Sequence, residues 1–264
     1  RVPHSVWESM MMILTPILSG ALLSFASIEA IFFIDVVTAL IAVLTLWLFL
    51  HVPLHSKAVS NEKISYFTDF KEGLKYIKSH GFLRAFFMFS IIFHILISPA
   101  AFLTPLQVAR SFGSDVWRLT AIEIFFAGGM FLGGILMLSW GGFKNKVYTM
   151  ISANVVIGLF TVALGITPIF WVYLLFMGII GIFIPAFNTP STVLLQQKVE
   201  PDYLGRVFGV LGMISSIMMP AGMLIFGPLA DIVKIEWLFV LTGLALVILS
   251  LIYFNNKELV EAGN

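Results

Sequence analysis

Residues 82–103 read FLRAFFMFSIIFHILISPAAFL, a run whose only ionisable side chains are Arg84 near its start and His94 in its middle. A helix needs about 20 mostly apolar residues to cross the hydrocarbon core of a bilayer. The run shows no alternation of apolar and polar residues, so it reads as a membrane helix rather than a barrel strand. Seven further stretches meet the same demand: Met10–Ala26, Ile31–Leu50, Leu119–Trp140, Val147–Ile166, Phe170–Leu195, Val207–Leu229 and Trp237–Phe254. The first is not a signal peptide, since no small-residue cleavage site ends it and further helices follow. The fold class these runs predict is all-α, a polytopic membrane helical bundle.

Composition agrees. Of the 264 residues, 59% are hydrophobic and 11% are charged, against roughly 45–50% and about 25% in soluble domains. A soluble fold of this length could not bury that much apolar surface. Disorder is excluded by the hydrophobicity. A net charge of +1 with no dense basic cluster argues against nucleic acid as a partner. There is no Cys, which removes disulfides and thiol chemistry. His51 and His55 are four apart, but Pro53 lies between them and no acid joins them, so no metal site is expected. Hydrolase, zinc-protease and P-loop motifs are absent. The chain is therefore expected not to be an enzyme, to need no cofactor, and to draw any driving energy from an ion gradient.

Lys and Arg set the orientation. With the loop between spans two and three in the cytoplasm, twelve of the 15 Lys and Arg fall inside and only Arg110, Arg118 and Lys234 fall outside. This predicts a multi-pass protein of the cell membrane with a cytoplasmic C-terminus. The long loop is the one polar interruption. Within it, Ser65–Ser79 reads as an amphipathic helix at the membrane surface, with Phe70, Leu74 and Ile77 on one face, Lys71, Lys75 and Lys78 elsewhere, and Thr68 as N-cap ahead of Asp69 and Glu72. A solvated linker that feels anionic lipid is the plainest reading of it.

A shift of 207 residues lays the first two spans on the last two. Met11-Met12 falls on Met218-Met219, Gly20 on Gly227, and Ile28-Glu29-x-x-Phe32 on Ile235-Glu236-x-x-Phe239. Aliphatic matches mean little in apolar sequence, but a shared Glu at the outer turn is telling. Parallel repeats joined by a long loop are an architecture of secondary transporters. On this reading residues 1–53 hold the last two helices of an N-terminal bundle, 54–81 the inter-bundle loop, and 82–264 a complete six-helix bundle. By symmetry, four helices would precede Arg1, and these are an expected partner within the same protein.

Several motifs carry a resemblance to the major facilitator superfamily, in its macrolide-efflux-like bacterial branch. Gln196-Gln197-Lys198-Val199-Glu200-Pro201-Asp202-Tyr203-Leu204-Gly205-Arg206-Val207 is similar to the branch's Q-x-x-V-P-P-E-x-x-G-R-V. Ile34-Asp35-Val36-Val37-Thr38 resembles its I-D-A-x-T/S, and Leu103-Thr104-Pro105-Leu106 its L-x-P-L. The antiporter motif G-P-x-x-G-G keeps Pro16 and Gly20 in Thr15–Gly20. The loop motif G-x-x-x-D-R-x-G-R-K appears as Gly133 through Trp140-Gly141-Gly142-Phe143-Lys144, without its Asp and Arg. The resemblance covers the whole chain and implies helices five to twelve of a twelve-helix major facilitator fold.

Ionisable groups inside a membrane span are functional candidates by default, since burying one costs on the order of 2.5–3.5 kcal/mol even on mild scales. Glu123 and Asp35 are candidates for proton coupling, because an antiporter needs a carboxyl group that loads and releases protons. Asp35 reads equally as an anchor for backbone N–H groups at a helix start. His94 is a third coupling candidate, with an interhelical hydrogen bond as the alternative. Asn188 (between Pro185 and Pro190), Asn154 and Gln107 are substrate-pathway candidates, or polar groups that pin helices together. Gly129-x-x-x-Gly133 and Gly205-x-x-x-Gly209 permit close helix contact, and Arg206 could hold a gate by pairing with a carboxylate or lipid phosphate. The expected function is export of amphipathic small molecules, macrolide-like drugs by the resemblance, probed against two alternatives: export of a siderophore or other metabolite, and a non-transporting membrane sensor or scaffold. The expected partners are the small-molecule substrate, protons and the bilayer.

Overall fold

The structure, a computed structural model, describes residues 28–49 and 66–263. It is helical throughout these residues: α1 (Ile28–Phe49), α2 (Tyr66–Ser79), α3 (Gly81–Phe102), α4 (Thr104–Ser111), α5 (Val116–Trp140), α6 (Lys146–Ile166), α7 (Phe170–Lys198), α8 (Pro201–Ile232), α9 (Ile235–Phe254) and α10 (Lys257–Ala262). Among the described residues, six helical runs are long and apolar enough to cross a membrane, with α3 and α4 counting as one. That matches the all-α membrane bundle expected from hydropathy. Every described side chain of α1 is exposed. Its first residues, Ile28 onward, carry the same Ile-Glu-x-x-Phe pattern that opens α9 at Ile235.

Helix ends follow local chemistry. Asn145 caps α6, its Oδ1 accepting from the backbone N–H of Val147 at 2.9 Å and Tyr148 at 3.4 Å. α5 ends on Gly141 at φ +70°, followed by Gly142 at +80°, the left-handed region where a side chain is strained. The Gly-Gly pair of the loop motif thus survives as a helix stop although the motif's charges do not. The Gln196–Val207 segment is mostly helix rather than loop. α7 runs to Lys198 and α8 begins at Pro201, where proline's missing N–H costs nothing. α7 also continues through Pro185 and Pro190 without a break.

In lipid, helices gain little from apolar contact as such and must approach closely or hydrogen-bond. Three pairings do the first. Ideal Cβ atoms on Gly129 and Gly133 of α5 would collide with the carbonyl oxygens of Gly178 and Ile182 on α7, and one on Gly181 with that of Phe126. Gly158 of α6 and Gly243 of α9 interlock reciprocally, a Cβ on either falling 2.7–2.8 Å from the other's carbonyl oxygen. Gly222 of α8 lies under Ser98 of α3. Gly205 and Gly209 differ: nothing lies within 4 Å of a Cβ built on either, among the described residues.

The polar loop helix docks on protein. Tyr76 and Ile77 of α2 are 8% and 5% exposed, and the Tyr76 ring stacks on Tyr203 of α8 at 4.2 Å. At the same end α10 tucks under the bundle with Leu259 fully buried, and Asn145 donates from Nδ2 to the Val260 carbonyl at 2.8 Å.

The α5–α7 contact yields a sharp test. Gly129→Ala and Gly133→Ala should each destabilise the purified chain by about 1–3 kcal/mol, the usual cost of overpacking. Gly128→Ala and Gly134→Ala, whose Cβ atoms meet nothing within 4 Å, should leave the thermal unfolding midpoint in detergent near that of the parent.

Candidate functional site

α3 does not run straight into α4. Pro99 lies inside α3, and Leu103 is both its C-cap and the N-cap of α4. Leu103 is a one-residue break in the run, with its N–H still donating to the Pro99 carbonyl at 2.8 Å and its own carbonyl accepting from the Gln107 N–H at 2.8 Å. A cavity of about 380 Å³ opens beside this break, walled by α3–α4, α5, α7 and Met219 of α8. α3 and α4 contribute Phe93, His94, Ile97, Thr104 and Pro105; α5 contributes Glu123 and Phe126; α7 contributes Met177, Ile180, Ile184, Phe187 and Asn188. Apolar side chains dominate the wall, three Phe and two Met among them. Phe93 and Phe187 stack at 4.3 Å, and Phe187 lies 6.0 Å from Phe89. Such a surface accommodates bulky apolar groups of varied shape.

Three of the six coupling and pathway candidates meet in this cavity: Glu123, His94 and Asn188. Glu123 and Asn188 are exposed to it, and no described residue hydrogen-bonds to either side chain. His94 is half-buried, and its Nδ1 lies 2.7 Å from the Ser90 carbonyl oxygen one turn back. A carbonyl only accepts, so Nδ1 carries the proton and donates it there, and Nε2 is the ring atom left to take up another. The bond lies within α3, so the interhelical hydrogen bond expected for His94 is not the one it makes: its Nδ1 is spent on its own helix and its Nε2 faces the cavity side as an acceptor.

The other candidates lie elsewhere. Asn154 is fully buried between α6 and α9, its Nδ2 donating to Ser250 Oγ at 2.8 Å and the Leu246 carbonyl at 3.3 Å. Gln107 is buried on α4. Its Nε2 donates to the Leu164 carbonyl at 2.9 Å, and its Oε1 accepts from the Tyr173 hydroxyl at 2.9 Å. Both side chains therefore hold helices together. Asp35 lies two turns into α1, deeper than a helix-start anchor, though its side chain is outside the described set. Pro16 and Gly20 lie outside the described residues. Arg206 pairs with Glu72 of α2 at 3.2 Å.

Sequence reading did not pick out Thr104, Met177 or Met219. Thr104 and Met219 entered only through the resemblance and the repeat, and nothing in their spacing marks them as cavity-lining, because which helices face one another is a tertiary feature. Tyr173, fully buried, was also missed. A lone hydroxyl in an apolar helix must find a partner, and that is the signal that points to it.

A bundle of membrane-length apolar helices with an amphipathic cavity between α3–α4, α5 and α7 is the architecture of a multi-pass membrane protein. The chain belongs to the Major Facilitator Superfamily, whose family model matches residues 5–223. It is similar to macrolide efflux protein A of Streptococcus pyogenes, 26% identical over 247 residues that cover 93% of this chain and 61% of that protein. Macrolide efflux protein A of Enterococcus faecalis is 28% identical, over 82% of this chain and 67% of that one. The multidrug efflux pump Tap of Mycolicibacterium fortuitum is 27% identical over 52% of this chain and 32% of its own length. The chain thus spans about three fifths of the first of these relatives. No solved structure matches it.

The packing role of Gln107 is testable. Tyr173→Phe should destabilise the chain by about 1–3 kcal/mol by leaving a buried amide oxygen without its donor, read from thermal unfolding. Gln107→Leu on top of it should add less than the two single changes summed, since both cut the same bond.

Proposed function

We propose that this chain forms part of a secondary active transporter that exports amphipathic small molecules, macrolide-like drugs among them, across the cell membrane by proton antiport. The observation that carries the proposal is the placement of Glu123, His94 and Asn188 in one apolar cavity, with the Glu123 and Asn188 side chains bonded to no described residue and only Nδ1 of His94 engaged. The printed names of the relatives support the efflux reading. The family supports transport over catalysis.

In this reading the Phe and Met walls take the apolar body of the substrate. Asn188 and the Glu123 carboxylate meet its polar groups. A proton delivered to Glu123 cancels the charge in the cavity and so changes its affinity for the substrate. His94 passes that proton through Nε2 while its Nδ1–H stays on Ser90. Asp35 is a second carboxyl group for the same task, on a helix of the N-terminal half. Residues 1–53 are the last two helices of that half, 54–81 join it to the bundle of 82–264, and the two halves rock about the cavity. The lysine-rich end and the C-terminus face the cytoplasm, supported by the distribution of Lys and Arg.

Glu123→Gln in the intact transporter should abolish export driven by the proton gradient, at unchanged protein level in the membrane. The measurement is drug accumulation in cells with and without a protonophore. Export by the Gln variant that matches the parent and still collapses with the protonophore would remove Glu123 from the coupling step.

A further inference from the structure

Docking of α2 on the bundle has a consequence for its lysines. The face that packs is made by Gly73, Tyr76 and Ile77. A Cβ on Gly73 would sit 3.3 Å from both the Cβ and the carbonyl oxygen of Arg206. Tyr76 stacks on Tyr203, and its hydroxyl oxygen accepts from the backbone N–H of Glu200 at 3.3 Å. Lys71, Lys75 and Lys78 follow at i, i+4 and i+7, and all three are exposed. At 100° per residue they form one narrow row centred about 180° from the packed face. Docking therefore fixes the row and aims it straight away from the protein.

The row has no counter-charge among the described residues. No described residue pairs with any of its three lysines. Glu72, the acid next to it, is engaged by Arg206 at 3.2 Å. The arginines at the opposite end of the bundle contrast with this: Arg110 lies 3.4 Å from Asp231 and Arg118 lies 3.3 Å from Asp115.

The position of the row favours a lipid over a soluble partner. α2 leads into the membrane-length helix α3 with only His80 between. It lies against Tyr203, Arg206 and Val210, the first turns of α8. The row thus sits where apolar helices end, at the depth of lipid headgroups. Half-buried Phe70 and Leu74 border it, giving the apolar edge beside cations that suits an interface. We infer that α2 is a fixed docking surface for anionic phospholipid headgroups, gripped by Lys71, Lys75 and Lys78.

The absence of cysteine allows a clean experiment. Ser79→Cys at the end of α2 takes a single bimane label in the full chain, which is then placed in phosphatidylcholine nanodiscs. Nitroxide-labelled phosphatidylglycerol or phosphatidylcholine is added as quencher at equal mole fraction. The expected result is a preference for quenching by phosphatidylglycerol on the order of a hundredfold, since each of the three lysines near a charged surface is worth roughly fivefold in partitioning and the factors multiply. The preference should shrink with added salt and approach parity in K71Q/K75Q/K78Q. It should persist in K71R/K75R/K78R, which keeps the charge. Equal quenching of the parent by both lipids, or a preference that survives the Gln changes, overturns the inference. Absence of quenching by either lipid also overturns it, and assigns the row to the aqueous phase and a soluble acidic partner.

Discussion

The backbone-to-backbone contact of α5 with α7 is the constraint on which the cavity depends. Gly129, Gly133 and Gly181 let the two helices approach until carbonyl oxygens lie where side chains would otherwise be. Van der Waals packing is the main force between helices in lipid, and it is strongest at this separation. The contact turns two helices into one wall. Because Glu123 lies on one helix and Asn188 on the other, the same glycines fix how the two polar groups face the space between α3 and α7. A looser contact would still give a bundle, but not this cavity.

Polar side chains divide by whether the bundle spends them. Asn154 and Gln107 are buried and bonded across helices, so they hold α6 on α9 and α4 on α6. The Asn154 Oδ1 atom is left unpaired there, a residual cost of placing an amide in that interface. Glu123 and Asn188 bond to no described side chain or backbone group and face open volume instead. Placing uncompensated polar groups at membrane depth is unfavourable, and packing gains nothing from it. The distinction between pinning groups and groups kept for a ligand therefore rests on hydrogen-bond partners. Depth in the sequence alone does not supply it.

The helical class, and the six spans from residue 82 onward, were legible because hydropathy over about 20 residues is set by the bilayer, whatever the tertiary packing. The end of the span at Trp140 was legible too, and the two glycines that follow it supply the local reason. Glu123 and His94 stood out because ionisable groups are rare in such runs. What could not be read was pairing. Gly129-x-x-x-Gly133 and Gly205-x-x-x-Gly209 look alike in sequence, yet the first is filled by α7 and the second faces open space among the described residues. The amphipathic pattern of residues 65–79 was also correct, but periodicity does not say what the apolar face meets. It meets α8, because Gly73 opens a gap for Arg206 that a larger residue would close.

The Arg206–Glu72 pair is the obvious candidate for what holds α2 in place, and magnitudes argue against it. Both side chains are partly exposed, at 33% and 48%, and such pairs contribute about 0.2–1 kcal/mol. Tyr76 is 8% exposed, and burying a side chain of that size is worth about 1.5–3 kcal/mol. Its stack on Tyr203 adds about 0.5–1.5 kcal/mol. Packing therefore wins, and the ion pair selects the register of α2 more than it anchors the helix. Arg206 acts twice, as backbone and Cβ against Gly73 and as a charge that engages Glu72. The second action draws the Glu72 carboxylate toward α8 and away from the lysine row.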